Sequence, residues 1–369
     1  MNWNSIYKIK DSVDIYLVDN EFIKVYFMNT RVQKSYRISD ELIALFEEID
    51  GKKKTIEIYN VVKEKYSYIN QNDFSSIFDT IIKSNILSEK TSDNLLSDDE
   101  LKKYDRQLNF FSEFLNCELD AQKAQIKLKE AVVAIFGCGA IGGTIAIQLA
   151  MAGVENFILV DNDNVCESDI ARHIYFNYKN IGSKKTETLG DALKEINNNN
   201  NIYISQTWVV PQANIKDIIK KATFVVNSAD EPYLGYTAKL ISEECVKQNR
   251  VHYIAGGFDA HLASTGELII PYITPCANCY STYFSEKLKD WVPEEHPVKI
   301  RYNEIGGLPS MSLFATSFAC LEIIKYICGL VDMTKEYKPR GEFIFDSMEL
   351  VYLDPPRDPN CKVCGGKDE

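Results

Sequence analysis

Residues 131–163 contain a glycine motif between two apolar segments, and this motif limits the folds that the chain can adopt. The first segment is continuously apolar, as strands buried on both faces of a parallel sheet are. A helix-like apolar pattern follows the glycines, and a second short apolar strand ends on an acid. In chain order these pieces are 131–136, Gly137-x-Gly139-x-x-Gly142, 145–152, 157–160 and Asp161.

This order of strand, glycine turn, helix and acid is typical of a nucleotide site. The glycines allow a tight turn, close approach of the backbone to phosphate, and close packing of helix on strand. The helix N-terminus offers unpaired N–H groups to an anion, and an acid about 20 residues later holds ribose hydroxyls. The motif alone does not choose between NAD and ATP. The predicted nucleotide contacts are Gly137, Gly139, Ala140, Ile141, Gly142 and Asp161.

Strand and helix patterns keep alternating up to residue 250, which predicts a doubly wound, mostly parallel α/β sheet. After that point, strand patterns follow one another with no helix between them. We therefore expect the Rossmann-like parallel half to continue into an antiparallel half within one sheet. A long apolar helix at 310–328 and a hairpin at 343–354 complete this expectation.

The first 92 residues form a separate pattern, that of a small α+β module. Short apolar bursts separated by turn-prone residues predict a three-stranded antiparallel sheet over 12–38. Three amphipathic helix patterns follow, and a polar stretch at 93–103 indicates a linker before a domain at 104–369. The module at 1–92 resembles the winged-helix leader-binding modules of peptide-modifying enzymes, which capture an extended peptide by strand addition. A dimerisation or spacer domain is the alternative.

Composition limits the function classes. A length of 369 residues predicts two or three domains, and the net charge of −12 argues against nonspecific nucleic-acid binding. No apolar run approaches transmembrane length, and the first residues lack a signal-peptide core. We therefore expect a cytoplasmic protein with no nucleic-acid or membrane partner, whose ten cysteines are reduced.

Two cysteine pairs have the spacing of zinc ligands. Cys276-x-x-Cys279 and Cys361-x-x-Cys364 each lie in a segment marked by proline or glycine, so each can fold back around one metal. Four thiolates close the coordination shell, which predicts a structural Zn²⁺. Two redox-active pairs are the alternative, and neither pair opens a helix in a thioredoxin-like setting.

Charged residues at the predicted strand ends favour a triphosphate over a dinucleotide. Asp161, Asp163, Arg172, Lys185 and Asp230 follow strands of one predicted sheet, and such strand ends converge on one crevice. Cations neutralise phosphate oxygens, and a carboxylate holds Mg²⁺. The set predicts a nucleoside triphosphate with Mg²⁺.

Residues 104–366 resemble the E1-like adenylyltransferase family, which includes activators of sulfur carriers and of ubiquitin. The pieces that carry the resemblance are Arg106-Gln107, the 137–143 loop, Asp161-x-Asp163, 168–172, Gly182-x-x-Lys185, Asn227-x-x-Asp230, Gly256-Gly257 and the paired CxxC. Members use ATP and Mg²⁺ to activate a C-terminal carboxylate as an acyl-adenylate, releasing pyrophosphate.

The resemblance also implies a role for each matching residue. Asp161 holds ribose, Arg172 and Lys185 hold phosphates, and Asp230 holds Mg²⁺. Arg106 matches an arginine that the second subunit of the family dimer inserts toward the triphosphate, so a homodimer with composite sites is implied.

Three positions depart from the family pattern. Asp169 stands where an amide is usual, and His173 stands where glutamine is usual. Asp169 either repels phosphate or contacts a metal, and the sequence leaves both readings open. Asn227 stands where Asp is frequent, which leaves Asp230 as the metal ligand.

An N-terminal peptide module joined to a complete E1-like domain is similar to the microcin C7 synthetase group. That resemblance implies nucleotidylation of a short ribosomal peptide ending in Asn, with ATP or CTP as the donor. The alternatives are an activator of a sulfur-carrier or ubiquitin-like protein, a non-catalytic leader-peptide-binding scaffold, and a nicotinamide oxidoreductase. The loop at 291–307 is either a crossover loop over the peptide's path, with Glu294, Glu295, His296 and Arg301 near substrate, or a plain surface loop.

Overall fold

A computed structural model describes residues 1–19, 21–91, 93–115, 117–259, 262–290, 307–335, 337–338 and 340–366. The chain divides into two compact units, residues 1–126 and 127–369. The predicted crossover loop lies outside the described residues except for Gly307.

The first unit is a small α+β fold. Its elements are β1 (Ile6–Ile9), β2 (Val13–Val18), β3 (Phe22–Phe27), β4 (Val32–Arg37), α1 (Asp40–Glu48), α2 (Thr55–Lys65), α3 (Gln71–Lys83), β5 (Leu87–Lys90), α4 (Asp98–Lys103) and α5 (Asp105–Ser112). Helix α6 (Glu118–Glu130) runs across the division between the units. Strands β2, β3 and β4 form the antiparallel sheet that the sequence predicts, with β2 and β4 at its edges.

Local sequence explains where these helices begin. The Ser39 side chain accepts a hydrogen bond from the Leu42 N–H and caps α1, and Asn70 caps α3 in the same way. The buried side of the unit is aromatic, with Trp3 stacked on Phe74 at a centroid distance of 5.8 Å. Burying such large side chains is the main favourable contribution to folding of a unit this small.

One strand pair was not predicted from the sequence. Strand β5 pairs antiparallel with β1, although residues 87–90 directly precede the stretch interpreted as a linker. The sequence signal for this strand was the apolar pair Ile86 and Leu87. Both residues are buried and anchor β5 to the core. Within the predicted linker itself, residues 98–103 form the capped helix α4.

The second unit is the predicted doubly wound α/β fold. Its elements are β6 (Val132–Phe136), α7 (Ala140–Met151), β7 (Asn156–Val160), α8 (Glu167–Ile170), a 3₁₀ turn (Tyr178–Asn180), α9 (Lys185–Ile196), β8 (Asn201–Ser205), α10 (Ile215–Lys221), β9 (Phe224–Asn227), α11 (Leu234–Lys247), β10 (His252–Ala255), β11 (Phe258–Asp259), β12 (Leu262–Ser264), β13 (Gly266–Ile269), α12 (Ala277–Lys287), α13 (Pro309–Cys328), β14 (Gly341–Ile344) and β15 (Glu349–Tyr352). The main sheet has the order β13-β10-β9-β6-β7-β8. All of its pairs are parallel except β10 with β13.

The expectation of one continuous sheet is wrong in its antiparallel part. Among the strands that the structure describes, only β13 joins the parallel ones, and β11, β12, β14 and β15 form a second, four-stranded antiparallel sheet. Strand β13 begins at Gly266, two residues after the end of β12, and Gly266 has a φ of +86°, a conformation that favours glycine. A Cβ at this position would lie 2.7 Å from the Gly256 nitrogen, so this bend between the two sheets requires glycine.

Helix α13 corrects the statement that no apolar run approaches transmembrane length. It has 20 residues, and an 18-residue window within it has a mean hydropathy of 1.5, so by length and composition it could cross a membrane. Half of that window is buried inside the protein, and Gln148 of α7 donates to the Thr316 hydroxyl at 3.3 Å. These contacts identify α13 as a core helix of the second unit.

Candidate active site

The carboxyl ends of β6, β7 and β9 border a cleft of about 310 Å³. Parallel strands place their C-terminal loops at the same edge, where ligands of doubly wound sheets bind. Residues predicted from sequence form much of its wall: Gly137, Gly139, Ala140, Ile141, Asp161, Asp163, Arg172, Lys185 and Asp230. The structure therefore brings all of these residues together in one place.

The glycine loop is shaped by close approach of the backbone on two sides. Gly137 has a φ of +88°, and a Cβ there would lie 2.8 Å from the Ala229 nitrogen. Gly142 is not in the cleft wall, because its α-carbon faces the Gly137 carbonyl and the Ser228 hydroxyl. Gly142 therefore allows helix and strand to pack closely, which is the third task expected of such a motif.

Helix α7 points its N-terminus into the cleft. The helix begins at Ala140, and its N-cap residue is Gly139, which has no side chain that could cap the first N–H groups. The first N–H groups of a helix lack partners within the helix and favour an anion. The Tyr175 hydroxyl donates to the Cys138 carbonyl at 2.9 Å and so holds the loop that precedes the helix. Tyr175 was not predicted from the sequence.

Asp161 fixes the loop as well as bordering the cleft. Its two carboxylate oxygens accept from the Cys138 N–H at 2.6 Å and the Asp163 N–H at 2.7 Å. Burial raises the pKa of Asp161, and these two hydrogen bonds oppose that rise. A carboxylate oxygen has more than one lone pair, so Asp161 can still accept from a further hydroxyl.

Two cations reach the cleft from different elements. The Lys185 ammonium lies 3.1 Å from an Asp163 oxygen and 3.8 Å from an Asp169 oxygen. Burial lowers the pKa of Lys185, but Asp169 and Asp163 raise it above its ordinary value. Arg172 is half exposed, and its guanidinium donates to Asp169 at 2.9 Å. Both side chains are therefore charged and oriented.

Asp169 holds these cations from behind. Its side chain is fully buried, accepts from the Cys166 N–H at 3.0 Å, and is not part of the cleft wall. Burial raises the pKa of Asp169, but the Cys166 hydrogen bonds and the neighbouring cations outweigh this and lower it to about 2. The acid that departs from the family pattern therefore acts as a buried counter-ion to Arg172 and Lys185.

His173 is buried next to this acid. Its Nδ1 lies 2.8 Å from the Asp169 carbonyl oxygen, and its ring stacks on Phe176 at 4.5 Å. Burial lowers the pKa of His173 to about 4, so the imidazole is neutral near pH 7. Its Nε2 is buried without a hydrogen-bond partner among the described residues. His173 packs behind the site and does not border the cleft.

Asp230 and Asn227 have different surroundings. Asp230 is exposed at the cleft and has no hydrogen bond or ion pair within the described part of the chain. Its carboxylate is therefore available to a cation. Asn227 is fully buried, and its amide oxygen accepts from the Ala229 N–H at 3.2 Å. Asn227 supports the backbone of the loop that carries Asp230.

One wall of the cleft was not predicted. Thr207, Trp208 and Val209 follow β8 and border the cleft, and Trp208 is 44% exposed. A half-exposed indole offers a flat apolar face to a planar group such as a nucleobase.

Arg106 lies in α5 of the first unit and is not among the residues that border the cleft. Its predicted role in the site of a neighbouring subunit remains a prediction.

The four predicted zinc cysteines form one cluster, although the pair Cys276 and Cys279 opens helix α12, contrary to the expectation from the sequence. Their sulfurs lie within 4.8 Å of one another, with separations of 3.8 Å for Cys276–Cys279, 3.7 Å for Cys276–Cys361 and 3.4 Å for Cys279–Cys364. Four sulfurs at the usual Zn–S distance in a tetrahedron are about 3.8 Å apart, whereas a disulfide bond is about 2.05 Å long. The cluster therefore has the composition and dimensions of a four-thiolate metal site.

The family model of the ThiF family matches residues 104–363, about the same span as the predicted E1-like domain. This chain belongs to the ThiF family. The prediction of an ATP-dependent nucleotidyltransferase of the E1-like class is thereby confirmed.

Two curated relatives illustrate the sequence similarity. Protein HesA, vegetative, from Trichormus variabilis (strain ATCC 29413 / PCC 7937) is 28% identical over 273 residues, which are 73% of this chain and 91% of that protein. A probable molybdopterin-synthase adenylyltransferase from Gracilaria tenuistipitata var. liui is 29% identical over 255 residues, 68% of this chain and 64% of that protein.

The solved structures extend the likeness to the first unit. The crystal structure of E. coli MccB with ATP is similar with a TM-score of 0.70 and 20% identity. The match covers 97% of this chain and 99% of MccB, so it includes most residues ahead of the ThiF match. At this identity the likeness shows a shared fold.

Proposed function

We propose that this protein activates and nucleotidylates the C-terminus of a short ribosomal peptide, as in microcin C7-like antibiotic biosynthesis. The observation that carries the proposal is the joining of two features in one chain. One is a cleft that gathers most of the residues predicted to bind a triphosphate, and the other is an N-terminal α+β unit that has a counterpart in the MccB fold. MccB is a microcin C7 biosynthetic enzyme, and its structures have been solved with ATP and with N-formylated MccA.

The proposed reaction begins with attack of a peptide carboxylate oxygen on the α-phosphorus of the triphosphate. A new P–O bond forms, the bond between the α- and β-phosphates breaks, and pyrophosphate leaves with the electron pair. The first N–H groups of α7 face the phosphates, and Arg172 and Lys185 neutralise their charge. Asp161 accepts from ribose hydroxyls. The donor is ATP or CTP, and Trp208 is placed to stack on either base.

Asp230 is proposed to hold Mg²⁺. Its carboxylate borders the cleft and is unpaired within the described residues, which suits an oxygen-ligated hard cation. A bound Mg²⁺ supplies charge neutralisation on phosphate oxygens. The four cysteines Cys276, Cys279, Cys361 and Cys364 are proposed to hold a structural Zn²⁺ that joins the C-terminal tail to the start of α12.

The peptide is proposed to bind at an edge of the sheet β2-β3-β4. Both edge strands present backbone N–H and C=O groups, and a peptide that adds as a further strand pairs with them. A homodimer in which Arg106 enters the neighbouring cleft completes the proposal, and we place the enzyme in the cytoplasm.

Subunit mixing tests the composite site. Arg106→Ala and Asp230→Asn are each expected to be inactive alone, because each removes one half of a shared site. After mixing and subunit exchange, about a quarter of the sites are intact if random dimers form, so activity returns. Two inactive variants that stay inactive together, in a sample shown to contain mixed dimers, would place Arg106 outside the neighbouring site.

A second candidate function has its own support. The curated relatives include adenylyltransferases such as the Gracilaria protein, and the adenylyltransferase and sulfurtransferase UBA4 of Candida albicans is 24% identical over 287 residues. These relatives support a second candidate function, the activation of a sulfur-carrier or ubiquitin-like protein. A non-catalytic scaffold has less support, since the charged residues of the cleft are all present.

The deciding experiment is pyrophosphate release with Mg²⁺ and each of ATP, CTP, GTP and UTP. The substrates are short peptides ending in Asn and a carrier protein ending in Gly-Gly. The masses of the products are measured by mass spectrometry. A nucleoside monophosphate added to an Asn-ended peptide supports the proposal and names the base. Turnover only with the Gly-Gly carrier supports the second candidate.

A further inference from the structure

The two cysteine pairs of the metal cluster are supported in different ways. The pair near the C-terminus lies in a turn that closes on itself, because the Gly365 N–H donates to the Cys361 carbonyl at 2.8 Å. The other pair belongs to a helix, since Cys276 directly precedes α12 and Cys279 lies in its first turn. The position of the first residues of α12 therefore determines where these two thiols point.

A buried serine holds the backbone between Cys276 and Cys279. Ser242 lies in α11 and is 1% exposed. Its hydroxyl oxygen accepts a hydrogen bond from the N–H of Ala277, the residue that follows Cys276, at 3.3 Å. The first N–H groups of a helix have no partner within the helix, so this bond satisfies one of them. It also fixes α12 to α11 at the residue next to the first thiol.

A buried histidine holds the serine in turn. Nε2 of His252 lies 2.9 Å from the Ser242 hydroxyl oxygen, and Nδ1 lies 3.0 Å from the Arg250 carbonyl oxygen. A carbonyl oxygen can only accept, so we assign the proton to Nδ1, and Nε2 accepts from the serine hydroxyl. Burial lowers the pKa of His252 to about 4, so the imidazole is neutral near pH 7 and can act as this acceptor.

These hydrogen bonds form one chain of donors that starts beside the metal cluster. The Ala277 N–H donates to Ser242, and the Ser242 hydroxyl donates to His252. His252 then donates to the carbonyl oxygen of Arg250. Both side chains are buried, so the loss of either one would leave a buried polar group without its partner. A buried network whose members are all paired is held in one geometry.

We propose that Ser242 and His252 are positioning residues of the metal site, which hold Cys276 and Cys279 in the arrangement that a thiolate-bound Zn²⁺ requires. Neither residue is a ligand, because the cluster of candidate ligand atoms within the described residues consists of the four cysteine sulfurs. Groups that orient metal ligands without binding the metal typically change its affinity by about 10–100-fold when they are removed. This inference rests on the proposed metal site and not on the proposed reaction.

The test measures the release of zinc from the full-length protein. The protein is loaded with zinc, an excess of the chelator pyridylazoresorcinol is added, and the release rate is followed by absorbance. Ser242→Ala is expected to release zinc about tenfold faster or more. Alanine is compatible with the helix and removes only the hydroxyl that accepts from Ala277.

Ser312→Ala is the matched control. Ser312 is also a buried helix serine of the second unit, at 2% exposed, but its hydroxyl has no hydrogen-bond partner in the part of the chain that the structure describes. Its replacement is expected to leave the release rate unchanged. The comparison separates the contact with Ala277 from the general effect of losing a buried hydroxyl.

Two histidine variants test the other member of the network, in case Ser242→Ala does not fold. His252→Leu removes both ring nitrogens and is expected to speed the release of zinc. His252→Gln keeps an acceptor for Ser242 and a donor for the Arg250 carbonyl, so it is expected to release zinc more slowly than His252→Leu. Both replacements are close to histidine in volume, so a difference between them reports the hydrogen bonds.

Release from Ser242→Ala at the parent rate, or equally fast release from both serine variants, would overturn the inference. Equal rates for His252→Leu and His252→Gln would also overturn it. A parent protein that takes up no zinc would reject the metal site, and this inference with it. Nucleotide turnover is not used, so failure of the proposed reaction would be seen separately and would not change these outcomes.

Discussion

Gly143→Ala is expected to disturb the nucleotide loop through Tyr175. A Cβ built on Gly143 lies 2.5 Å from Tyr175 Cζ and 2.9 Å from Cε1, and closer still to the hydroxyl oxygen. The ring must therefore move, although its hydroxyl now donates to the Cys138 carbonyl at 2.9 Å. Displacing the ring breaks this bond and frees the carbonyl of the loop that precedes α7.

The magnitude follows from three contributions. Overpacking of a filled site costs about 1–3 kcal/mol, and the lost hydrogen bond costs about 1 kcal/mol. Replacing glycine by alanine inside a helix returns about 1 kcal/mol. The free energy of unfolding should therefore fall by about 1–3 kcal/mol in sum. The Kd for ATP should rise about tenfold if about 1.4 kcal/mol of this acts on the loop.

Two further variants make this prediction sharp. A Cβ at Gly139 meets nothing within 4 Å, so Gly139→Ala should change urea-induced unfolding by less than about 1 kcal/mol. In a Tyr175→Ala background the clash is gone, and Gly143→Ala should stabilise the protein by about 1 kcal/mol. If Gly143→Ala destabilises equally with and without the tyrosine ring, the contact described here is not the cause.

Three other outcomes are expected. Asp230→Asn should abolish pyrophosphate release and leave peptide binding within about twofold, because the sheet proposed to hold peptide is in the other unit; retained turnover with lost peptide binding would reject the metal role. Metal analysis should find one zinc per chain, and Cys279→Ser should lose it; four freely titratable thiols in a metal-free protein would exclude the site. His173 has a pKa lowered to about 4 by burial, so its protonation in the unfolded state destabilises the fold as pH falls below the unfolded value. Between pH 7 and pH 5, His173→Gln should remove about 2 kcal/mol of the loss of unfolding free energy seen in the parent protein; an unchanged pH slope would contradict the burial of this imidazole.

Sequence patterns predicted the parallel half of the fold because its signals are local. An apolar run, a glycine turn and an apolar helix specify a βαβ unit within 33 residues, whereas the strand order β9-β6-β7-β8 was seen only in the structure. The second sheet was not predicted, because strands β12 and β13 are continuous in pattern. Their separation depends on the conformation of Gly266 and on what lies beside it.

The candidate site could be predicted only where residues contact the cleft directly. Glycines, acids and cations at strand ends can be recognised as candidate binding residues from their spacing in the sequence. Asp169 and Tyr175 act from behind the wall, and their tasks depend on distances to Arg172 and Cys138 that no spacing encodes. Trp208 was missed because one exposed aromatic residue after a strand has no distinctive pattern.

The cysteine cluster brings together two parts of the chain that are far apart in sequence and are therefore synthesised at different times. Cys276 directly precedes α12 and Cys279 lies in its first turn, whereas their partners Cys361 and Cys364 are among the last described residues. The ribosome therefore delivers α12 more than 70 residues before Cys361 and Cys364. A metal held by all four cysteines can therefore bind only after translation has passed Cys364, when every helix and strand of the second unit has already been made.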